Sequence, residues 1–180
     1  MTDRSRMVTG MFPDRESAEQ AYGSMAGRGY GTDDVHMLMS DDTRKRYFVP
    51  KDGTDTKTTE LGSKALEGAG VGAGVGAVTG GVLAAVAAAA TVAIPGVGLV
   101  VAGPLAAALA GAGAGSVTGG LIGALVGSGI PEERAKVYDK GVREGGIVLG
   151  VTPKTDEDAE YFEREWKGYR GEHIYGPRSY

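Results

Sequence analysis

Apolar positions along the first third of the chain follow two rhythms. Met7 to Phe12 is a short apolar run. Pro13-Asp14 then offers a helix N-cap before Ala18, Ala21, Tyr22, Met25 and Ala26, spaced i, i+3, i+4, i+7, i+8. The pattern predicts a strand followed by an amphipathic helix, which Gly27, Gly29 and Gly31 stop. Val35 to Ser40 is a second strand-like run. From Asp41 to Lys64 the chain turns polar, with Pro50, Gly53 and repeated Thr and Asp, and predicts a loop.

The last fifty or so residues repeat the theme. Pro131 suits a first helical position, Glu132 and Glu133 suit the positively polarised first turn, and Ala135, Tyr138 and Val142 share a face. Gly145-Gly146 ends that helix and Ile147 to Thr152 is the most strand-like run in the chain. Thr155 and Asp158 resemble a capping box opening a helix with Ala159, Phe162, Trp166 and Tyr169 inward, and His173 to Tyr175 predicts a last short strand. With the middle removed, the order is βαβ then βαβ, which predicts an α+β ferredoxin-like sandwich with one antiparallel sheet.

The middle is different in kind. Every Lys, Arg, Asp and Glu lies in residues 1–67 or 132–180, and Gly68 to Pro131 has none. Three segments follow: a first βαβ unit with its polar loop (1–67), a charge-free insertion (68–130), and a helix plus second βαβ unit (131–180). Within the insertion Gly68, Gly72, Gly76 and Gly80 recur every four residues, as do Gly111, Gly115, Gly119, Gly123 and Gly127. Each row would form one side-chain-free face of a helix. Glycine costs ~1 kcal/mol relative to alanine in a solvated helix, so such rows are tolerable only where a partner backbone packs against them. Gly72 to Gly81 is echoed by Gly111 to Gly120, as a duplication would leave. The expectation is a long Gly/Ala-rich helical hairpin turning at Ile94-Pro95-Gly96-Val97-Gly98.

Each arm exceeds the ~20 residues that cross a bilayer, but Gly and Ala outnumber Leu and Ile, and neither aromatic belts nor a charged turn anchor it. Three placements stay open: inserted in a membrane, buried inside a homo-oligomer, or folded back on its own domain.

Charge and composition narrow the function. A net charge of −4 and a pI near 5.2 argue against nucleic-acid binding. The absence of cysteine excludes disulfides and thiolate chemistry, and the start of the chain lacks a signal-peptide run. No Gly-x-Gly-x-x-Gly follows a predicted strand, so no cofactor is expected. His36 and His173 both fall on predicted strands that could bring them close, yet two imidazoles without a carboxylate make a poor metal site. Asp33-Asp34 and Asp41-Asp42 suit turn caps. Arg44, Lys45 and Arg46 are the one basic cluster, a solvated loop or a contact for anionic lipid head groups.

Three stretches carry a family resemblance: Val8-Thr9-Gly10-Met11-Phe12-Pro13-Asp14-Arg15-Glu16-Ser17-Ala18-Glu19, Gly103-Pro104-Leu105-Ala106-Ala107-Ala108-Leu109-Ala110-Gly111, and Gly129-Ile130-Pro131-Glu132-Glu133-Arg134-Ala135 leading to Glu144-Gly145-Gly146-Ile147. In these the chain resembles the bacterial general stress protein family related to heat-induced and 17M-type stress proteins, in a branch with a glycine-zipper insertion. The resemblance covers most of the chain outside 41–64. It implies bacterial origin and stress-linked expression, leaves room for membrane association, and offers no catalytic residue to carry over.

The resulting expectation is a non-enzymatic, cytoplasmic stress protein that self-assembles as a homo-oligomer, or attaches to lipid at the inner membrane, through its glycine rows. The alternative is a ligand-binding regulatory module of ferredoxin-like fold.

Overall fold

A computed structural model describes residues 7–31, 33–48, 92–94, 98–103, 106, 120–127 and 130–177. In chain order the elements are β1 (Val8–Phe12), α1 (Arg15–Ala26), β2 (Val35–Ser40), α2 (Asp41–Tyr47), β3 (Val92–Ile94), β4 (Leu99–Ala102), α3 (Gly120–Gly127), α4 (Glu132–Arg143), β5 (Ile147–Val151), α5 (Asp156–Gly168) and β6 (Glu172–Tyr175).

Local chemistry sets the boundaries of the outer segments. Asp14 caps α1, accepting the Ser17 N–H at 2.9 Å, and Thr155 caps α5, accepting the Asp158 N–H at 3.1 Å. The strands form one sheet in the order β3-β4-β2-β5-β1-β6, with every neighbouring pair antiparallel. β5 lies between β2 and β1 and is buried along its whole length, which is why Ile147 to Val151 reads as an unbroken apolar run.

Each face of the sheet holds its own apolar cluster. On the first, α1 and α5 cover Val8, Phe12, Val35, Met37, Leu149 and their neighbours, with Phe162 and Trp166 fully buried. Trp166 fits because Gly10 of β1 leaves it room: a Cβ there would stand 3.0 Å from the indole. The Trp166 Nε1–H donates to Ser24 Oγ at 3.3 Å, and the Ser24 hydroxyl donates to the Ala21 carbonyl at 2.7 Å. On the second face, Ala135, Tyr138 and Val142 of α4 and Leu121 and Leu125 of α3 meet Leu38, Leu99, Val101 and Val148. The protein is therefore α+β with helices on both sides of an antiparallel sheet.

Two expectations change here. The polar stretch after β2 begins as helix α2 rather than loop, because Ser40 caps it, accepting the Thr43 N–H at 3.1 Å, and Asp41 and Lys45 pair across one turn. The charge-free stretch is not helical throughout: Val92–Ile94 and Leu99–Ala102 are strands that extend the sheet beyond β2. β-branched Val92, Ile94, Val100 and Val101 on either side of Pro95-Gly96 favour a strand pair, and an apolar run with no polar positions has no period by which to tell helix from strand.

The described part of that stretch is folded onto its own domain. Leu99, Val101, Ala106, Leu121 and Leu125 belong to the second-face cluster, and Val100 and Ala102 to the first.

A polar junction ties α1 to α5. The Tyr30 hydroxyl donates to Asp158 Oδ2 at 2.6 Å and accepts the Lys154 N–H at 2.7 Å, while Arg28 pairs with the other Asp158 oxygen and stacks 4.1 Å from the Tyr161 ring. Burial, reinforced by the bond to Asp158, pushes the Tyr30 hydroxyl up to about 12. Tyr30→Phe should therefore cost about 1–3 kcal/mol in urea unfolding, since it removes the partner of the Lys154 N–H and of one Asp158 oxygen together. Arg28→Gln, at a partly exposed pair, should shift the urea midpoint less than Tyr30→Phe does.

Candidate functional site

The basic cluster sits in the last turn of α2, where cations meet the negative end of the helix dipole. Asp41 holds two of the three: its carboxylate lies 2.6 Å from Lys45 Nζ and 3.2 Å from Arg44 Nη2. The hydrogen bond from Lys45 is the main reason the Asp41 carboxyl stays below its ordinary range, and it raises the Lys45 ammonium in turn. Arg46 is exposed. The Arg15 guanidinium of α1 donates to the Tyr47 carbonyl at 2.6 Å and lies 5.3 Å from the Phe48 ring, so the end of α2 is fastened to α1.

Of the glycine rows, Gly68, Gly72, Gly76, Gly80, Gly111, Gly115 and Gly119 lie outside the described residues. Gly123 and Gly127 lie on α3, four residues apart and exposed, while Leu121 and Leu125 of the same helix are buried against the sheet. A Cβ at Gly123 or Gly127 would meet nothing within 4 Å among the described residues. Beside them Val126 is 42% exposed, the exposed large apolar side chain of the described residues. Among the described residues, the face of α3 that carries Gly123, Val126 and Gly127 is thus exposed and without charge.

The two histidines are not brought together. β5 and β1 separate β2 from β6, so three strand spacings, about 14 Å, lie between the strands carrying His36 and His173. His173 is exposed at an irregular step of the β1–β6 pairing, with a φ of 49°. No group of three or more His, Cys, Asp or Glu placed to hold a metal occurs among the described residues.

His36 faces the second cluster, opposite Gly150 of β5, which in turn pairs with Thr9 of β1. Gly150 carries no side chain to fill the row, and a cavity of about 10 Å³ remains there, lined by Met7, Thr9, His36, Leu125, Ile130 and Gly150 among others. That is about the room for one water. Burial pushes the His36 imidazole down to about 4, with Asp34 acting in the opposite direction.

Along the same row, the Tyr138 hydroxyl is 2.7 Å from Thr9 Oγ1 and 3.0 Å from the His173 carbonyl. The carbonyl can only accept, so Tyr138 donates to it and the Thr9 hydroxyl supplies the other proton. Buried Arg134 stacks 4.0 Å from the Tyr175 ring at the end of the row. Sequence reasoning passed over this polar row. Its one visible signal is the isolated Gly150 inside an apolar strand, the mark of a close approach or a gap.

The chain matches no protein-family model, no curated protein and no solved structure.

Proposed function

We propose that this chain is a non-enzymatic, bacterial, stress-associated protein that self-assembles through its glycine rows. The observation that carries the reading is α3: its leucines are spent on its own sheet, and its row glycines, Gly123 and Gly127, look outward from a helix without a charge. Small residues at four-residue spacing let a second helix backbone come into van der Waals contact, which is the return that makes such rows tolerable. A second copy, carrying the same rows, is the partner of matching chemistry.

The order β2-β5-β1-β6 with α1 and α5 on one face supports a ferredoxin-like arrangement of the two βαβ units, widened by β3 and β4. The resemblance read from Val8–Glu19, Gly103–Gly111 and Gly129–Ile147 is the ground for the bacterial, stress-linked part of this reading.

Attachment to the inner membrane is the weaker mode. No helix among the described residues is long and apolar enough to cross a membrane, the described part of the charge-free stretch is packed on the sheet, and Arg44 and Lys45 already share Asp41. For a ligand-binding module, the cavity beside Gly150 among the described residues offers room for about one water.

Native mass spectrometry of the parent with Gly119→Leu and Gly127→Leu tests the reading. The parent is expected as an oligomer and the variants as smaller species, with circular dichroism unchanged. An unaltered oligomer with a lower melting temperature would show that the rows pack within one chain and would remove assembly through them. Parent flotation with anionic vesicles, lost in an Arg44→Gln, Lys45→Gln, Arg46→Gln variant, would favour the membrane mode instead.

A further inference from the structure

Five methionines lie among the described residues; Met7, Met25, Met37 and Met39 are buried, and Met11 is partly exposed. From β1 its side chain joins the second-face cluster, where the thioether rests in a slot made by two glycines. Gly141 lies inside α4, and a Cβ there would fall on the Met11 sulfur. Gly146 stands just before β5, and a Cβ there would be 3.4 Å from Met11 Cγ. Glycine is costly inside a helix, so the close seat of the thioether against the α4 backbone is the return for Gly141. We propose that Met11 is an oxidation-sensitive modification site: peroxide converts its thioether to the sulfoxide, and the added oxygen lifts the last turn of α4 from the sheet. The inference does not rest on self-assembly.

The slot is tight and the donors beside it are spent. Val148 of β5, opposite Met11 in the sheet, is buried, as is Val142 of α4. The N–H groups that close α4 are committed: Glu144 donates to the Lys140 carbonyl at 3.1 Å, Gly145 to that of Val142 at 3.1 Å and Gly146 to that of Gly141 at 2.9 Å. A sulfoxide oxygen is a strong acceptor, so inside this slot it is both unpaired and overpacked. α4 is the part that yields, because β1 is held by pairing to β5 on one side and β6 on the other.

The step is an oxygen transfer. A lone pair of the thioether sulfur attacks one oxygen of hydrogen peroxide, and the S–O bond forms as the O–O bond breaks. The proton on the transferred oxygen leaves with the departing hydroxide as water, so the sulfur is oxidised and the peroxide reduced. Methionine sulfoxide reductases return the sulfoxide to the thioether, which makes the change reversible. Oxidation follows exposure, so Met11 reacts ahead of the four buried methionines.

Exposure of the full chain to dilute hydrogen peroxide, stopped with catalase and followed by peptide mapping, is the test. Met7 and Met11 share the tryptic fragment 7–15, and its fragment ions tell them apart. Sulfoxide at Met11 is expected about tenfold faster than at Met7, Met25, Met37 or Met39. Amide hydrogen exchange of the oxidised protein should show about tenfold lower protection across α4, with α1 and α5 unchanged. Treatment with the two methionine sulfoxide reductases, one for each sulfoxide epimer, should restore it. Met11→Leu, which offers no sulfur, should keep α4 protection through the same exposure; if that variant does not fold, the reductase reversal decides. Oxidation of Met11 no faster than of the buried four, α4 protection unchanged at full Met11 oxidation, or loss in step across α1 and α5 would overturn the proposal. So would a loss that the reductases do not reverse or that persists in a folded Met11→Leu.

Discussion

Excision of Gly68 to Gly129, with the ends rejoined by a short linker, is expected to abolish cooperative folding. The hydrophobic pattern alone points the other way, to a soluble α+β domain left behind, since the two βαβ units carry apolar faces of their own. The structure reverses that expectation. The cut removes β3, β4, Ala106 and α3, and with them the cover over Leu38, Val148 and part of Tyr138. It also strips Met37 to Ser40 of their pairing with Leu99 to Ala102, leaving β2 as a bare apolar edge. Leaving a large apolar side chain exposed forgoes about 1.5–3 kcal/mol, against a net stability of about 5–15 kcal/mol for a whole domain. An open apolar edge adds an aggregation route. Thermal melts followed by circular dichroism should show a broad, non-cooperative loss of signal or precipitation. A sharp, reversible transition at the parent's temperature would mean that the four strands of the βαβ units form a complete domain without the charge-free stretch.

That reversal shows what the sequence could and could not carry. Elements with a polar side were legible: α1, α4 and α5 announce themselves through alternating apolar and charged positions and through Asp14, Pro131 and Thr155 at their starts. β5 was legible as an apolar, β-branched run between Gly145-Gly146 and Pro153. Helix α2 was hidden because its stability comes from a cap and an ion pair, which a tally of polar residues does not see. The charge-free stretch was illegible for the opposite reason: with no polar residue to mark an outside, its glycines and alanines fit a buried helix face, a strand beside a strand, or lipid equally well. The candidate site divides in the same way. Arg44, Lys45 and Arg46 are legible as a basic run, but the pattern put them in a loop rather than on α2, and Asp41, three and four residues before Arg44 and Lys45, becomes their partner only once the helix forms. The polar row through His36, Thr9 and Tyr138 joins β2, β1 and α4, and no local pattern could have registered it.

Gly103→Ala should be among the most damaging single changes in the protein, although it adds one methyl group to a sequence region rich in alanine. Two separable costs meet at this residue. Its φ of +83° lies in the left-handed region, where a side chain costs about 1–2 kcal/mol. A Cβ there would also stand 2.0 Å from the Val35 carbonyl oxygen and 3.3 Å from His36 Cα, so the start of β2 or the end of β4 would have to move. Overpacking of that kind costs about 1–3 kcal/mol, bringing the total to about 2–5 kcal/mol. Two other glycines isolate the parts. Gly98 has a φ of +65° with nothing within 4 Å among the described residues, so Gly98→Ala should show the backbone cost alone. Gly168 ends α5 with an ordinary φ and open space, so Gly168→Ala should be neutral or stabilise by up to about 1 kcal/mol. Urea midpoints for the three variants are expected in the order Gly168→Ala, Gly98→Ala, Gly103→Ala, the last lowest. If Gly103→Ala unfolds no earlier than Gly98→Ala, β4 does not press against Val35, and the account of the charge-free stretch as an integral part of the sheet fails at its closest contact.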